Sequence, residues 1–235
     1  MRHGSEKERL FCRLISRTPE IVAAIKSKYQ IPYNFIEAHT TGGNLRKSDA
    51  ILAFEGNYSL GVNIKSGSVD FNQVTRVWLR RLSEDVGLSA TAEAAVQYGV
   101  DNHRLKRSKI FIEEQYRDTF AAEIKGKLHN IMAYIFAKNH VDFVKILALY
   151  DTSLKTFSLY DMRETIDRLA SCVISYSNHG VVKIGNYMTL QRKGGDGGYL
   201  SAPKEHPDHP GNQLQFKMKI NSYMRELPPF AKIGA

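Results

Sequence analysis

A chain of 235 residues, 43% hydrophobic and 24% charged, has the composition of a globular protein long enough to bury a substantial core. Its 33 Lys and Arg against 24 Asp and Glu leave a formal net charge of +9, which favours encounter with a polyanion such as nucleic acid, although ribosomal, membrane-surface and merely basic enzymes share such an excess. No window approaches the roughly twenty apolar residues of a membrane span, no early segment reads as a signal peptide, and Cys12 and Cys172 cannot build a multi-bridge framework, so the expectation is a cytoplasmic protein with reduced core thiols and no membrane partner.

Along the chain, Ser5 and Glu8 read as a capping box ahead of Leu10, Phe11, Leu14 and Ile15 at helical spacing. Thr18-Pro19-Glu20 opens a second helix that runs to about Tyr29, before Pro32. After the loop Thr40 to Asn44, the segments Ser48 to Phe54 and Ser59 to Lys65 predict a hairpin around Glu55-Gly56-Asn57. The spacing of Val74, Val77, Trp78 and Leu82 predicts a basic helix over Asn72 to Leu82, with Trp78 buried. The pattern weakens between Leu88 and Arg107, and the cluster His103 to Lys109 reads as a loop that is solvated or faces phosphate.

A long helix is predicted from about Glu113 to Asn139, then strands over Val141 to Tyr150 and Phe157 to Leu159, then a helix from Asp161 to about Cys172. Two more strands are expected at Tyr187 to Leu190 and Leu214 to Ile220. Between them the Gly- and Pro-containing stretch from Gly194 to Gly211 is long enough to be a lid or ligand loop. Within it His206 and His209 lie among prolines too stiff to converge on a metal. The alternation predicts an α/β fold, a mixed central β-sheet with flanking helices. A single domain over 1–235 is expected, with a core at about 1–110 and a helical and recognition part at about 111–235.

The arrangement richest in chemistry is Lys47-Ser48-Asp49 at the start of one hairpin strand and Val62-Asn63-Ile64-Lys65 in the other. Asn63 and Lys65 share a face by alternation, and pairing can bring Asp49 beside them. A carboxylate, an amide oxygen and an ammonium around one point suit Mg2+ and phosphodiester hydrolysis. An Asp at a strand start and a Lys at a strand end also make an ordinary surface ion pair.

Ser-Asp followed by a hairpin and Asn-x-Lys resembles the core of PD-(D/E)xK nucleases, in the variant with Asn in place of the acidic residue. That is the pattern of the MspI-like branch of type II restriction endonucleases. The run Asp70 to Leu79 resembles the helix that follows the lysine in a GCGC-cutting relative of MspI. Gln191-Arg192-Lys193-Gly194-Gly195-Asp196-Gly197-Gly198, followed by Leu214-Gln215-Phe216-Lys217, resembles that relative's carboxyl-terminal recognition segment.

The resemblance implies a restriction-endonuclease-like core with Asp49, Asn63 and Lys65 catalytic. Asp49 and Asn63 would hold Mg2+, and Glu6 on the first helix would be a further carboxylate ligand. Without the resemblance, Glu6 reads as a charge suited to a helix's first turn. Ser48 stands where the family has proline.

Base reading is expected of Asn72, Gln73 and Arg76, and of Gln191, Arg192, Lys193, Asp196, Gln215 and Lys217. The resemblance gives Gln73 a wedge at a central CpG step. Solvated charges on a helix turn and on a glycine-rich turn are the bland alternatives. The implied activity is cleavage of double-stranded DNA at a short CpG-centred site, GCGC by preference. A DNA methyltransferase is the functional partner, and the enzyme is a monomer or a homodimer. The alternatives are a repair or nicking nuclease on the same core and a catalytically silent DNA-binding module.

Overall fold

The computed structural model describes residues 3–41, 48–67, 72–194, 203 and 205–234. The chain forms a mixed α/β fold whose strands lie in two sheets, and by contact it divides into two interleaved units. The first comprises residues 1–72, 136–167 and 220–235; the second comprises 73–135 and 168–219.

The first unit opens with α1 (His3–Ile15) and α2 (Pro19–Tyr29). Helix α1 begins before Ser5, so Ser5 lies inside it and the expected capping box is not the start. Pro19 supplies the fixed φ of a first helical position, and Gln30 ends α2 in the left-handed conformation with its N–H on the Lys26 and Ser27 carbonyls. A six-stranded sheet follows in the order β1 (Phe35–Thr40), β2 (Ala50–Phe54), β3 (Ser59–Gly67), β5 (Val144–Asp151), β6 (Thr156–Asp161) and β11 (Ala231–Gly234).

Every neighbouring pair in this sheet is antiparallel except β3 and β5, which run parallel with Asn63 opposite Leu147 and Lys65 opposite Leu149. The expected hairpin is β2 and β3, closed where Gly56 and Asn57 both take positive φ. Strand alternation sends Ala50, Leu52 and Phe54 with Leu60, Val62 and Ile64 into one core, where they meet Phe11, Cys12 and Ile15 of α1 and Ile21 and Ile25 of α2. On the opposite face α7 (Ile220–Glu226) packs on β5. Its Tyr223 ring lies 5.2 Å from that of Tyr160, and its hydroxyl bonds Thr165 Oγ1.

The second unit carries a five-stranded sheet in the order β4 (Asn72–Val77), β10 (Leu214–Met218), β9 (Met188–Arg192), β8 (Val182–Ile184) and β7 (Ile174–Tyr176). The helix predicted over Asn72 to Leu82 is therefore β4 followed by α3 (Leu79–Val86). Val74, Thr75 and Val77 are β-branched and pack on a pleated surface beside β10. The apparent helical spacing is that of an irregular strand in which Val74 and Val77 are buried.

Trp78 stands between these two elements and is 38% exposed, against the expectation of burial. It lines a cavity of about 650 Å³ with Arg81, Val100, Asp101 and Arg104. The weakly patterned region is α4 (Ala90–Arg104), capped by the Ser89 side chain on the Ala92 N–H. Helix α5 (Arg117–Ala137) stops where Lys138 and Asn139 turn left-handed, and α6 (Met162–Ser171) follows β6. Both cysteines are free thiols, Cys12 buried and Cys172 partly so.

Candidate active site

The β2–β3 hairpin assembles its polar groups by register. Asp49 precedes β2, and its N–H donates to the Val62 carbonyl at 2.8 Å, so the residue is already pinned to β3 by its backbone. Its Oδ2 accepts from the Ile64 N–H at 2.6 Å and from Lys65 Nζ at 3.3 Å. The Lys65 ammonium also donates to the Ile64 carbonyl at 3.0 Å. Both side chains keep an open edge, 29% for Asp49 and 16% for Lys65. Ser48 is buried, and its carbonyl accepts from Thr41 Oγ1 at 2.6 Å, which ties the entry of β2 to the end of β1.

Asn63 shares the Lys65 face, as alternation requires, and is fully buried. Its Nδ2 donates to the Phe136 carbonyl at 2.7 Å, so the oxygen is the atom of this side chain suited to a hard cation.

Glu6, the expected further carboxylate, is exposed on α1. It is Glu8, two residues on, that lies in the field of the hairpin. Burial raises the pKa of its carboxyl, and the charge of Asp49 raises it further, while Lys65 and Arg9 pull it down. The signal for Glu8 was in the sequence. Positions 8, 11, 12 and 15 form one helical stripe, and Phe11, Cys12 and Ile15 all face the sheet, so the charge at 8 stands on the buried side of an amphipathic helix.

The expected base readers fall on the second sheet. Gln215 pairs opposite Gln191 in the β9–β10 register, and its Nε2 donates to Gln73 Oε1 on β4 at 2.7 Å, so three glutamines line one row. Lys217, opposite Thr189, shares their face. Asn72 is half-buried and Arg76 exposed on β4.

Arg192 has the other parity. Its Nε and Nη2 donate to Asn212 Oδ1 at 3.1 and 2.7 Å, and its Nη1 lies 3.1 Å from His103 Nδ1. Burial, and next the charge of Arg192, lower the pKa of His103, consistent with a neutral ring accepting from the guanidinium. Asn212 then donates to the His206 and Pro207 carbonyls, and Arg104 reaches the Glu205 carbonyl, so this part of the expected lid is bolted down. The Lys193 N–H donates to the Gln213 carbonyl at 2.8 Å. Asp196 lies outside the described residues, as do Lys47, Asp70 and Phe71.

No cluster of three or more His, Cys, Asp or Glu side chains suited to a metal occurs among the described residues. The donors near the hairpin are instead two carboxylates, Asp49 and Glu8, with the amide oxygen of Asn63. Mg2+ retains several waters and takes one or two carboxylates, so this set fits it.

No protein-family model matches the sequence, and no curated protein shows significant similarity to it. Among solved structures, the restriction endonuclease MspI in complex with its cognate DNA is similar, with a TM-score of 0.49 and 12% identity over 85% of this chain and 77% of that one.

Proposed function

We propose that the chain is a Mg2+-dependent endonuclease of double-stranded DNA with a PD-(D/E)xK core, acting as a type II restriction enzyme at a short CpG-centred site, GCGC by preference. The observation that carries this reading is the approach of Lys65 Nζ to Asp49 Oδ2 at the start of the hairpin, with Glu8 in the field of both.

In this reading Asp49 and Glu8 hold the ion, with Asn63 completing its surroundings and Glu8 taking the place first given to Glu6. Bound Mg2+ offsets charge on the scissile phosphate and lowers the pKa of a bound water. Lys65 would orient the attacking water and take part in moving its proton, and the Ile64 N–H holds Asp49 Oδ2, leaving the other carboxylate oxygen available to an ion. Gln73 and Gln191 of the glutamine row on the second sheet, with Lys217, Arg76 and Asn72, read the duplex. A methyltransferase that protects the same site in host DNA is the functional partner this activity requires.

The test incubates the protein with unmethylated plasmid DNA in Mg2+ or chelator and maps the ends by sequencing. Discrete Mg2+-dependent fragments sharing one short sequence are expected. Asp49→Ala and Lys65→Ala should keep duplex binding while losing cleavage by roughly a hundredfold to ten-thousandfold, the range for a positioned proton-transfer group. Asp49 also accepts from the Ile64 N–H, so thermal melts of each variant separate loss of chemistry from loss of fold. Intact DNA with folded wild-type protein would leave the silent binding module, and full activity in either variant would remove the site assignment.

A further inference from the structure

Gln73 is exposed on β4, and Gln215 on the neighbouring β10 is only 8% exposed. A glutamine amide is an ambiguous reader, since it offers an acceptor at one end and two donors at the other, and half a turn about its last bond exchanges them. The bond from Gln215 Nε2 to Gln73 Oε1, 2.7 Å long, removes that ambiguity. It occupies the acceptor end of Gln73 and turns the Nε2 donors away from Gln215. Gln215 itself is too buried to meet a base edge, and its backbone is paired in the β9–β10 ladder, with Gln191 directly opposite.

We propose that Gln215 is a positioning residue that holds Gln73 as a hydrogen-bond donor. Gln73 then pairs with an acceptor on a base edge and discriminates against an edge that offers only an amino group. This rests on the reading that Gln73 contacts DNA, and it adds a specificity determinant to that reading.

The experiment selects a pool of DNA duplexes with a randomised four-base-pair window for binding to the full chain in chelator, and compares wild type with Gln73→Ala, Gln215→Met and Gln215→Glu. Met keeps the length of the side chain without its amide, and thermal melts confirm that each variant folds. Gln73→Ala should lose base preference at one or more positions. Gln215→Met should lose it at the same positions, by about tenfold, the scale of one good base-edge contact. Gln215→Glu can only accept, so it draws the Gln73 amide round and should shift the preference there toward bases that present an amino group.

If Gln73→Ala loses preference while Gln215→Met or Gln215→Glu keeps the wild-type one, positioning is overturned and DNA reading by Gln73 stands. If Gln73→Ala keeps the full preference, Gln73 does not read DNA and the positioning role falls with it. A merely structural role for Gln215 would weaken binding to all sequences alike and would not redirect the preference.

Discussion

Glu8 lies one helical turn ahead of Phe11 and Cys12 on the stripe of α1 that faces the sheet, where desolvation and the nearby Asp49 both disfavour its charge. A carboxyl whose pKa is raised by folding stabilises the fold below the ordinary value of 4.5 and loses that contribution as pH rises through the raised value. At neutral pH its ionised form therefore costs stability, and Glu8→Gln should raise the Tm at pH 7, with the gain vanishing below pH 4.5. If Mg2+ binds between Glu8 and Asp49 as proposed, it should raise the wild-type Tm more than that of the variant, because a bound cation would relieve the repulsion between the two carboxylates. Thermal melts at the two pH values, with and without Mg2+, check this; an unchanged or lower Tm for Glu8→Gln at pH 7 would make Glu8 an ordinary structural residue.

Residues also show where sequence pattern misleads. Trp78 carries a large apolar ring at apparent helical spacing and was expected inside, but it stands at the junction of β4 and α3, half open to solvent. Arg192 follows Gln191 directly in sequence, and a linear reading sets the two side chains together. Strand alternation puts the two on opposite faces, and the guanidinium is taken by Asn212 and His103.

Helix α4 illustrates an element whose placement depends on one side chain being absent. A Cβ on Gly99 would lie 1.7 Å from the Phe111 carbonyl oxygen, so the helix and the backbone at Phe111 approach as closely as they do only because this residue is glycine. Gly99→Ala gains about 1 kcal/mol of helix propensity. The clash is with backbone, which cannot swing aside, and overpacking of that kind costs about 3 kcal/mol or more. The clash wins, and denaturant titration should show a net loss of about 2 kcal/mol. A stabilised variant would mean that the Phe111 segment is free to move.

Elements with a regular period were legible in the sequence: α2, the β2–β3 hairpin, β5, β6 and α6 fall where their patterns put them. Those that were missed include β1, β7, β8, β11 and α7, which are short or have one exposed face, and α4, whose buried side is mostly small residues such as Ala92, Ala95 and Gly99, so their local patterns hold few large apolar positions. Strand β4 was read as a helix because Val74 and Val77 are the residues it buries, and a spacing of three within six residues does not separate an irregular strand from a helical turn.

For the whole molecule, the net charge of +9 makes a prediction about salt. If the chain neutralises about six phosphates on a duplex, its affinity for DNA of arbitrary sequence should fall about a thousandfold between roughly 50 and 200 mM salt. Fluorescence anisotropy with a labelled duplex measures it, and a fall of less than about tenfold would mean that the excess cations are not directed at a phosphate backbone.

The sequence by itself determined what depends on covalent neighbours: the basic charge, the sheet-facing stripe of α1, and the hairpin that brings Asp49 to Lys65. These follow from periods of 3.6 and 2 and from a turn of a few residues, which short windows contain. Only the tertiary structure decided that the stripe carrying Glu8 packs where Asp49 and Lys65 lie, that Asn212 holds Arg192, and that Gln215 meets Gln73 across 142 residues of chain. Those contacts follow from the packing of α1 and from strand order in a sheet assembled from distant segments. Strand order is set by which hydrophobic faces bury together, a property of the folded chain that no local pattern carries.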